Sequence, residues 1–90
     1  MTPQQHENAT RDWSLPLRPV IRETMQLKPD TQWTAKSLHG LIKADYSDAT
    51  EVDVRNALLW NQSKGFVDYT FNAQFERDEW FLTERGKSQE

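Results

Sequence analysis

The segment from Val54 to Gly86 constrains the fold more than any other part of the chain. Its first half has a helical pattern that ends at Gly65, and Phe66 follows at once with the alternating apolar and polar residues of a strand. A second run, Glu79–Thr83, can return beside the first as its antiparallel partner. The segment is therefore predicted to be a helix that leads directly into a two-stranded hairpin.

Two more helices are predicted upstream of this segment. The first covers Leu17–Leu27, with Pro19 in its first turn, where the missing N–H has no partner within a helix. The second covers Ala35–Ala44 and has Thr34 as its N-cap. The buried face of this second helix is predicted to consist of Leu38, Leu41 and Ile42. Between the two helices, Thr31–Trp33 is predicted to be extended and able to join the hairpin as a third strand.

The third helix is predicted to begin near residue 50, where either Asp48 or Thr50 can serve as the N-cap. Its core stripe consists of Val54, Ala57 and Leu58. In the strands that follow, the inward positions are predicted to be Val67, Tyr69, Phe71, Trp80 and Leu82.

Length and composition limit what this chain can do. At 90 residues with no cysteine it can hold one small core, and it has no disulfide, thiolate zinc site or cysteine nucleophile. Neither a metal-ligand spacing nor a phosphate-binding loop is present, so we expect no catalytic activity, no metal and no cofactor. No apolar run is long enough for a membrane span, which favours a cytoplasmic protein without a membrane partner. Residues 1–14 are predicted to be a flexible arm, residues 15–86 the folded domain and residues 87–90 a tail.

The order helix, short strand, helix, turn, helix, strand, wing and strand resembles the winged helix-turn-helix superfamily. The likeness is carried by Thr34–Ile42, by Val54, Ala57, Leu58, Gly65, Phe66 and Val67, and by Trp80–Thr83 with Gly86. It implies an α+β fold: a small winged helix in which a three-helix bundle carries a C-terminal two- or three-stranded antiparallel wing.

One position departs from the superfamily's pattern. Members usually carry an apolar residue three positions after the one matched by Leu58, and this chain has Asn61 there. Either Trp60 rotates to fill the gap, or Asn61 is buried with a hydrogen-bond partner.

The resemblance implies a small DNA-binding transcriptional regulator, and a dimer would suit that role. The third helix, about residues 50–64, would enter the major groove, and the wing, residues 66–83, would lie on the backbone. Arginine pairs with guanine and asparagine or glutamine with adenine, so the predicted base-reading residues are Arg55, Asn56 and Gln62. The predicted phosphate contacts are Lys36, Lys43, Lys64 and Arg77, and Arg18 and Arg22 are also available.

The charge of the chain argues against DNA as the partner. The formal net charge is −3 and the pI is about 5.3, whereas DNA-binding domains are usually basic. Carboxylates are concentrated where a DNA backbone would approach, before the third helix and at the wing tip: Asp45, Asp48, Glu51, Asp53, Glu76, Asp78 and Glu79. The alternative is a protein-interaction module that binds through the wing and through Leu59, Trp60 and Phe75 without binding DNA.

Overall fold

A computed structural model describes residues 13–88, and these residues form an α+β domain of three main helices and a two-stranded antiparallel sheet. The elements are α1 (Ser14–Met25), α2 (Ala35–Ile42), α3 (Glu51–Ser63), β1 (Val67–Asn72), β2 (Arg77–Leu82) and a short α4 (Glu84–Lys87). Most of the predicted N-terminal arm and the end of the predicted tail lie outside the described residues. The sequence did not predict α4.

Helix α1 begins three residues earlier than predicted and ends two residues earlier. Pro19 consequently lies inside the helix rather than in its first turn. An interior proline costs about 3 kcal/mol, but burial of one large apolar side chain contributes about 1.5–3 kcal/mol. Leu17, Ile21 and Met25 are all fully buried along α1, so their burial outweighs the cost of the proline.

Helices α2 and α3 begin at capping boxes. The Thr34 hydroxyl accepts from the backbone N–H of Ser37 at 3.0 Å, and the Ser37 hydroxyl accepts from the backbone N–H of Thr34 at 3.0 Å. In α3 the cap is Thr50 rather than Asp48, and Asp53 is its reciprocal partner at 2.9 Å. The two caps fix where the helices start and confirm the prediction made for Thr34.

The core lies between the three helices and the inner face of the hairpin. Its helical part includes Leu17, Ile21, Met25, Leu38, Ile42, Val54, Ala57 and Leu58, and the last five of these were predicted for the second and third helices. The prediction for Leu41 was wrong: this side chain is 51% exposed. Helix α2 has only 8 residues and buries the narrow stripe of Ala35, Leu38 and Ile42, which leaves Leu41 outside.

The hairpin is buried at only one of its ends. Val67 pairs with Leu82 and Tyr69 with Trp80, and Val67, Leu82 and Trp80 are buried, as predicted. Tyr69 and Phe71 were also predicted to point inward, but they are 39% and 61% exposed because the strands continue past the helices. The predicted third strand is reduced to a single bridge, in which Trp33 and Trp80 exchange backbone hydrogen bonds of 2.7 and 2.6 Å.

The chain is closed by α4, which packs against the start of the hairpin and the end of α1. Gly65 has a positive φ of 82°, as its predicted position at the end of α3 requires. The Gln26 side chain donates hydrogen bonds to the carbonyls of Gly86 and Lys87 at 3.1 and 2.9 Å. The hydrogen bond from Lys87 to Asp30 raises the pKa of Lys87 above 10.5.

None of the helices formed by the described residues has the length and apolar character that crossing a bilayer requires.

Candidate nucleic-acid interface

A groove of about 450 Å³ separates the hairpin from the first halves of α2 and α3. We call it the α3–hairpin groove. Phe71 and Trp80 give it an apolar wall on the hairpin side. Its charged lining comes from all of these elements and consists of Lys36, Glu51, Arg55, Glu76, Arg77 and Asp78. Three of the residues that the sequence predicted to bind DNA, namely Lys36, Arg55 and Arg77, thus line a single groove.

Each of the two arginines of the groove forms an ion pair with a glutamate. Arg55 lies 3.6 Å from Glu51 one turn earlier on α3. Arg77 lies 3.0 Å from Glu79, and its guanidinium sits 4.8 Å from the centre of the Phe75 ring. An exposed pair is worth about 0–1 kcal/mol, so Arg55 can exchange its carboxylate for another anion at little cost. Arg77 is held more firmly, because the Glu79 side chain is only 16% exposed and accepts from both Nε and Nη2 of Arg77.

Lys36 differs from the arginines because its ammonium has no ion pair within residues 13–88. The groove is nevertheless balanced in charge, since Glu51, Glu76 and Asp78 line it together with the three cations. Its attraction for a polyanion must therefore come from local geometry rather than from an excess of positive charge.

The predicted base-reading residues do not all lie at the α3–hairpin groove. Asn56 is exposed on α3, and its side chain makes no hydrogen bond to any described residue, so its amide is free to bind. Arg55 lies next to it at the groove. Gln62 instead donates to the Asp68 carboxylate at 3.2 Å and is not among the residues that line the groove.

The other predicted phosphate contacts also lie outside the groove. Lys43 is the exposed C-cap of α2. The ammonium of Lys64 lies 5.6 Å from the centre of the Trp60 ring, at the opposite end of α3 from Glu51. Of the four predicted phosphate contacts, Lys36 and Arg77 line the α3–hairpin groove and Lys43 and Lys64 do not.

The predicted protein-interface residues differ in their exposure. Leu59 is 47% exposed on α3, and Phe75 is 59% exposed beside the hairpin turn. Trp60 is only partly exposed, because its ring packs against Phe66 at 6.4 Å between centroids and has the Arg18 guanidinium 4.6 Å from its centre. Leu59 and Phe75 therefore remain available as apolar contacts, whereas Trp60 is largely occupied.

Asn61 is buried and hydrogen-bonded, which decides between the two alternatives left open by the sequence. Its amide nitrogen donates to the carbonyls of Ala57 and Arg18 at 2.8 and 3.0 Å, and its oxygen accepts from the Arg22 guanidinium at 2.8 Å. The side chain has no exposed surface. Asn61 thus links α3 to α1 through polar contacts and holds Arg22 in place.

Arg22 belongs to a group of cations whose proximity was not predicted from the sequence. Besides Arg18 and Lys64 near Trp60, Arg22 and Arg85 place their guanidinium groups 4.7 and 5.1 Å from the centre of the Phe66 ring. We call this group the Trp60–Phe66 cluster; its members are Arg18, Arg22, Trp60, Lys64, Phe66 and Arg85. Arg18 and Arg22 are one helical turn apart, so the sequence could have predicted that these two arginines are neighbours. Nothing in the sequence indicated that Arg85 lies beside the same rings.

Comparison with protein-family models, with curated proteins and with solved structures found no significant match. What this chain can bind must therefore be inferred from the geometry and charge of the described residues. Within those residues, no group of three or more His, Asp or Glu side chains is arranged to hold a metal ion.

Proposed function

We propose that this protein is a small winged helix module that binds duplex DNA. In this proposal α2, the turn after it and α3 act as the helix-turn-helix, and the hairpin acts as the wing. One observation carries the proposal: Lys36, Arg55 and Arg77, from three different elements, line a single groove beside the exposed amide of Asn56. Arg55 and Asn56 are the residues proposed to contact base edges, and Lys36 and Arg77 are proposed to contact phosphates.

The acidic composition of the chain lowers the DNA affinity that we expect. Two groove cations contacting phosphates, Lys36 and Arg77, would give a slope of log K against log salt of about −1.8, a weak dependence for a DNA-binding protein. The carboxylates of the groove lower the affinity further because they repel the backbone. We therefore expect modest affinity at physiological salt and clear binding only at low ionic strength.

The test is selection of a preferred duplex from a randomised pool at low salt, followed by binding measurements on the selected site. Arg55→Ala should weaken binding to that site by about 1–3 kcal/mol and relax the preference at the base pair it contacts. Lys43→Ala, which removes an exposed cation outside the groove, is the matched control and should have a much smaller effect. Failure of the unmodified protein to retain any duplex in low-salt buffer would contradict the proposal.

A second function is favoured by apolar side chains near the groove. Val52 and Leu59 are 60% and 47% exposed on α3, and Phe71 and Phe75 are 61% and 59% exposed on the hairpin side. Exposed apolar groups of this size are typical of protein interfaces. A second copy of this chain is the partner compatible with both functions, and Leu59→Ser would then convert a dimer into a monomer in sedimentation measurements. A partner that binds only when no DNA is present would favour an adaptor or inhibitor instead.

A further inference from the structure

The Trp60–Phe66 cluster concentrates positive charge in a chain that is negative overall. Arg18, Arg22, Lys64 and Arg85 lie around two rings, while the net charge of the chain is −3. Within residues 13–88, none of these four cations has a carboxylate within 4.0 Å, although both arginines of the α3–hairpin groove are paired. The cluster therefore brings together four positive charges that no described carboxylate neutralises at contact distance.

The cations of this cluster are also held in place before any ligand arrives. Arg18 lies 4.6 Å from the centre of the Trp60 ring, and Arg22 is stacked on Phe66 while it donates to Asn61 at 2.8 Å. An arginine fixed by a ring and a hydrogen bond loses less rotamer entropy when it binds an anion. The Nε of Arg18 is buried and is not one of the donors open to a ligand. Arg18 and Arg22 are therefore fixed in position without a carboxylate partner among the described residues, and the exposed cations of the cluster are Lys64 and Arg85.

The position of the cluster on α3 indicates which anion it would meet. At about 100° per residue, Trp60 and Lys64 are rotated by about 140° and 180° from Arg55 around the helix axis. The exposed stripe of Val52, Asn56 and Leu59 lies between these two flanks. Cations therefore border the exposed face of α3 on both sides, the groove cations on the hairpin side and the cluster on the α1 side.

We propose that the Trp60–Phe66 cluster is a second DNA phosphate-binding surface. It rests on the proposed function: a helix in the major groove has one sugar-phosphate strand on each side. The α3–hairpin groove would bind one strand, and Lys64 and Arg85 with the two α1 arginines would bind the other. Because stacked cations already cover the rings of Trp60 and Phe66, the surface offers charge rather than an apolar pocket.

The experiment compares three double variants of the full chain, each of which removes two positive charges. Lys64→Gln with Arg85→Gln alters the cluster, and both side chains are exposed and make no hydrogen bond to the described residues. Lys36→Gln with Arg77→Gln alters the groove. Lys28→Gln with Lys43→Gln is the matched control, since both lysines are exposed and belong to neither surface. Thermal melts of all three variants verify that the fold is retained.

The cluster variant should reduce the slope of log K against log salt by about two and weaken binding to all duplex sequences alike. In an NMR titration with a short duplex, the indole N–H signal of Trp60 should shift in the unmodified protein and stay in place in the cluster variant. If the cluster variant melts early, Arg85→Gln alone should still reduce the slope by about one.

Several results would overturn the assignment. If the groove variant weakens binding and the cluster variant behaves like the control, the second surface fails while the proposed function stands. If the unmodified protein binds no duplex, both fail. If a polyglutamate chain displaces the duplex at equal charge concentration, the surface belongs to an acidic protein instead. If the unmodified protein self-associates whether or not DNA is present, and the cluster variant is monomeric, the surface binds a second copy of this chain instead.

Discussion

At the scale of single residues, Asn61 shows how a polar side chain can occupy a core position. Its three hydrogen bonds, to Ala57, Arg18 and Arg22, satisfy both ends of the amide at 2.8–3.0 Å. Asn61→Ala removes these bonds, leaves the Arg22 guanidinium without its acceptor and opens a cavity. We expect a loss of about 2–4 kcal/mol in the free energy of unfolding, measured by urea denaturation.

Asn61→Leu is the informative companion to that change. Leucine is larger than asparagine and leaves no cavity, so this variant should avoid the cavity cost of Asn61→Ala, and its loss should reflect the unpaired Arg22 and the added volume. An Asn61→Ala protein whose free energy of unfolding is within about 0.5 kcal/mol of the unmodified one would show that the hydrogen bonds of this amide contribute little to stability. The sequence identified Asn61 as anomalous, but it left two arrangements open because the partners are on α1, about 40 residues away.

At the scale of the secondary-structure elements, two glycines at helical positions predict opposite effects of the same substitution. Gly40 lies in α2, and a Cβ added there would meet nothing within 4 Å. A Cβ added to Gly86 in α4 would overlap the carbonyl oxygen of Phe66, which is backbone and cannot move aside. Gly40→Ala should therefore stabilise the protein by about 0.5–1 kcal/mol through helix propensity, in thermal or urea unfolding.

Gly86→Ala should destabilise the protein by about 1–3 kcal/mol or more, because α4 must shift away from the start of the hairpin. Both variants add one methyl group to a helical glycine, so each is the control for the other. A stabilising Gly86→Ala would mean that α4 does not pack closely on Phe66, and a destabilising Gly40→Ala would place a neighbour against α2.

The sequence predicted which secondary-structure elements form more accurately than it predicted where they begin and end. The core stripe predicted for α3, the buried positions Leu38 and Ile42 of α2 and the left-handed Gly65 were confirmed, because each depends on residues close together in the chain. The start of α1 was wrong because a local rule about Pro19 was given more weight than the burial of three apolar side chains. Tyr69 and Phe71 were wrongly placed in the core because alternation along a strand does not reveal where the helices stop covering it.

The same reasoning explains what the sequence revealed of the candidate site. Arg55 and Asn56 were identified from residue type and position on α3, which is local information. The convergence of Lys36, Arg55 and Arg77 on one groove, and of Arg85 with Arg18, depends on the folded arrangement of distant elements. Gln62 does not line the groove with Arg55, and its hydrogen bond to Asp68, across the junction between α3 and β1, also depends on the fold.

At the scale of the whole molecule, the arrangement of charge matters more than its sum. A net charge of −3 disfavours DNA at long range, but at contact distance the field comes from the groups nearest the phosphates. Glu76 and Asp78 line the α3–hairpin groove, whereas Glu23 and Asp30 are exposed on α1 and on the loop after it. Both pairs contribute −2 to the net charge, so removing either pair raises the total equally.

Glu76→Gln with Asp78→Asn should raise duplex affinity on the order of tenfold at low salt, because two like charges a few ångströms from a phosphate cost about 1 kcal/mol or less each in water. Glu23→Gln with Asp30→Asn should change it far less. Fluorescence anisotropy with one labelled duplex, at two salt concentrations, measures both variants, and the advantage of the groove variant should shrink as salt increases. Equal gains for the two variants would mean that net charge alone governs binding, and the α3–hairpin groove would then lose its role as the contact surface.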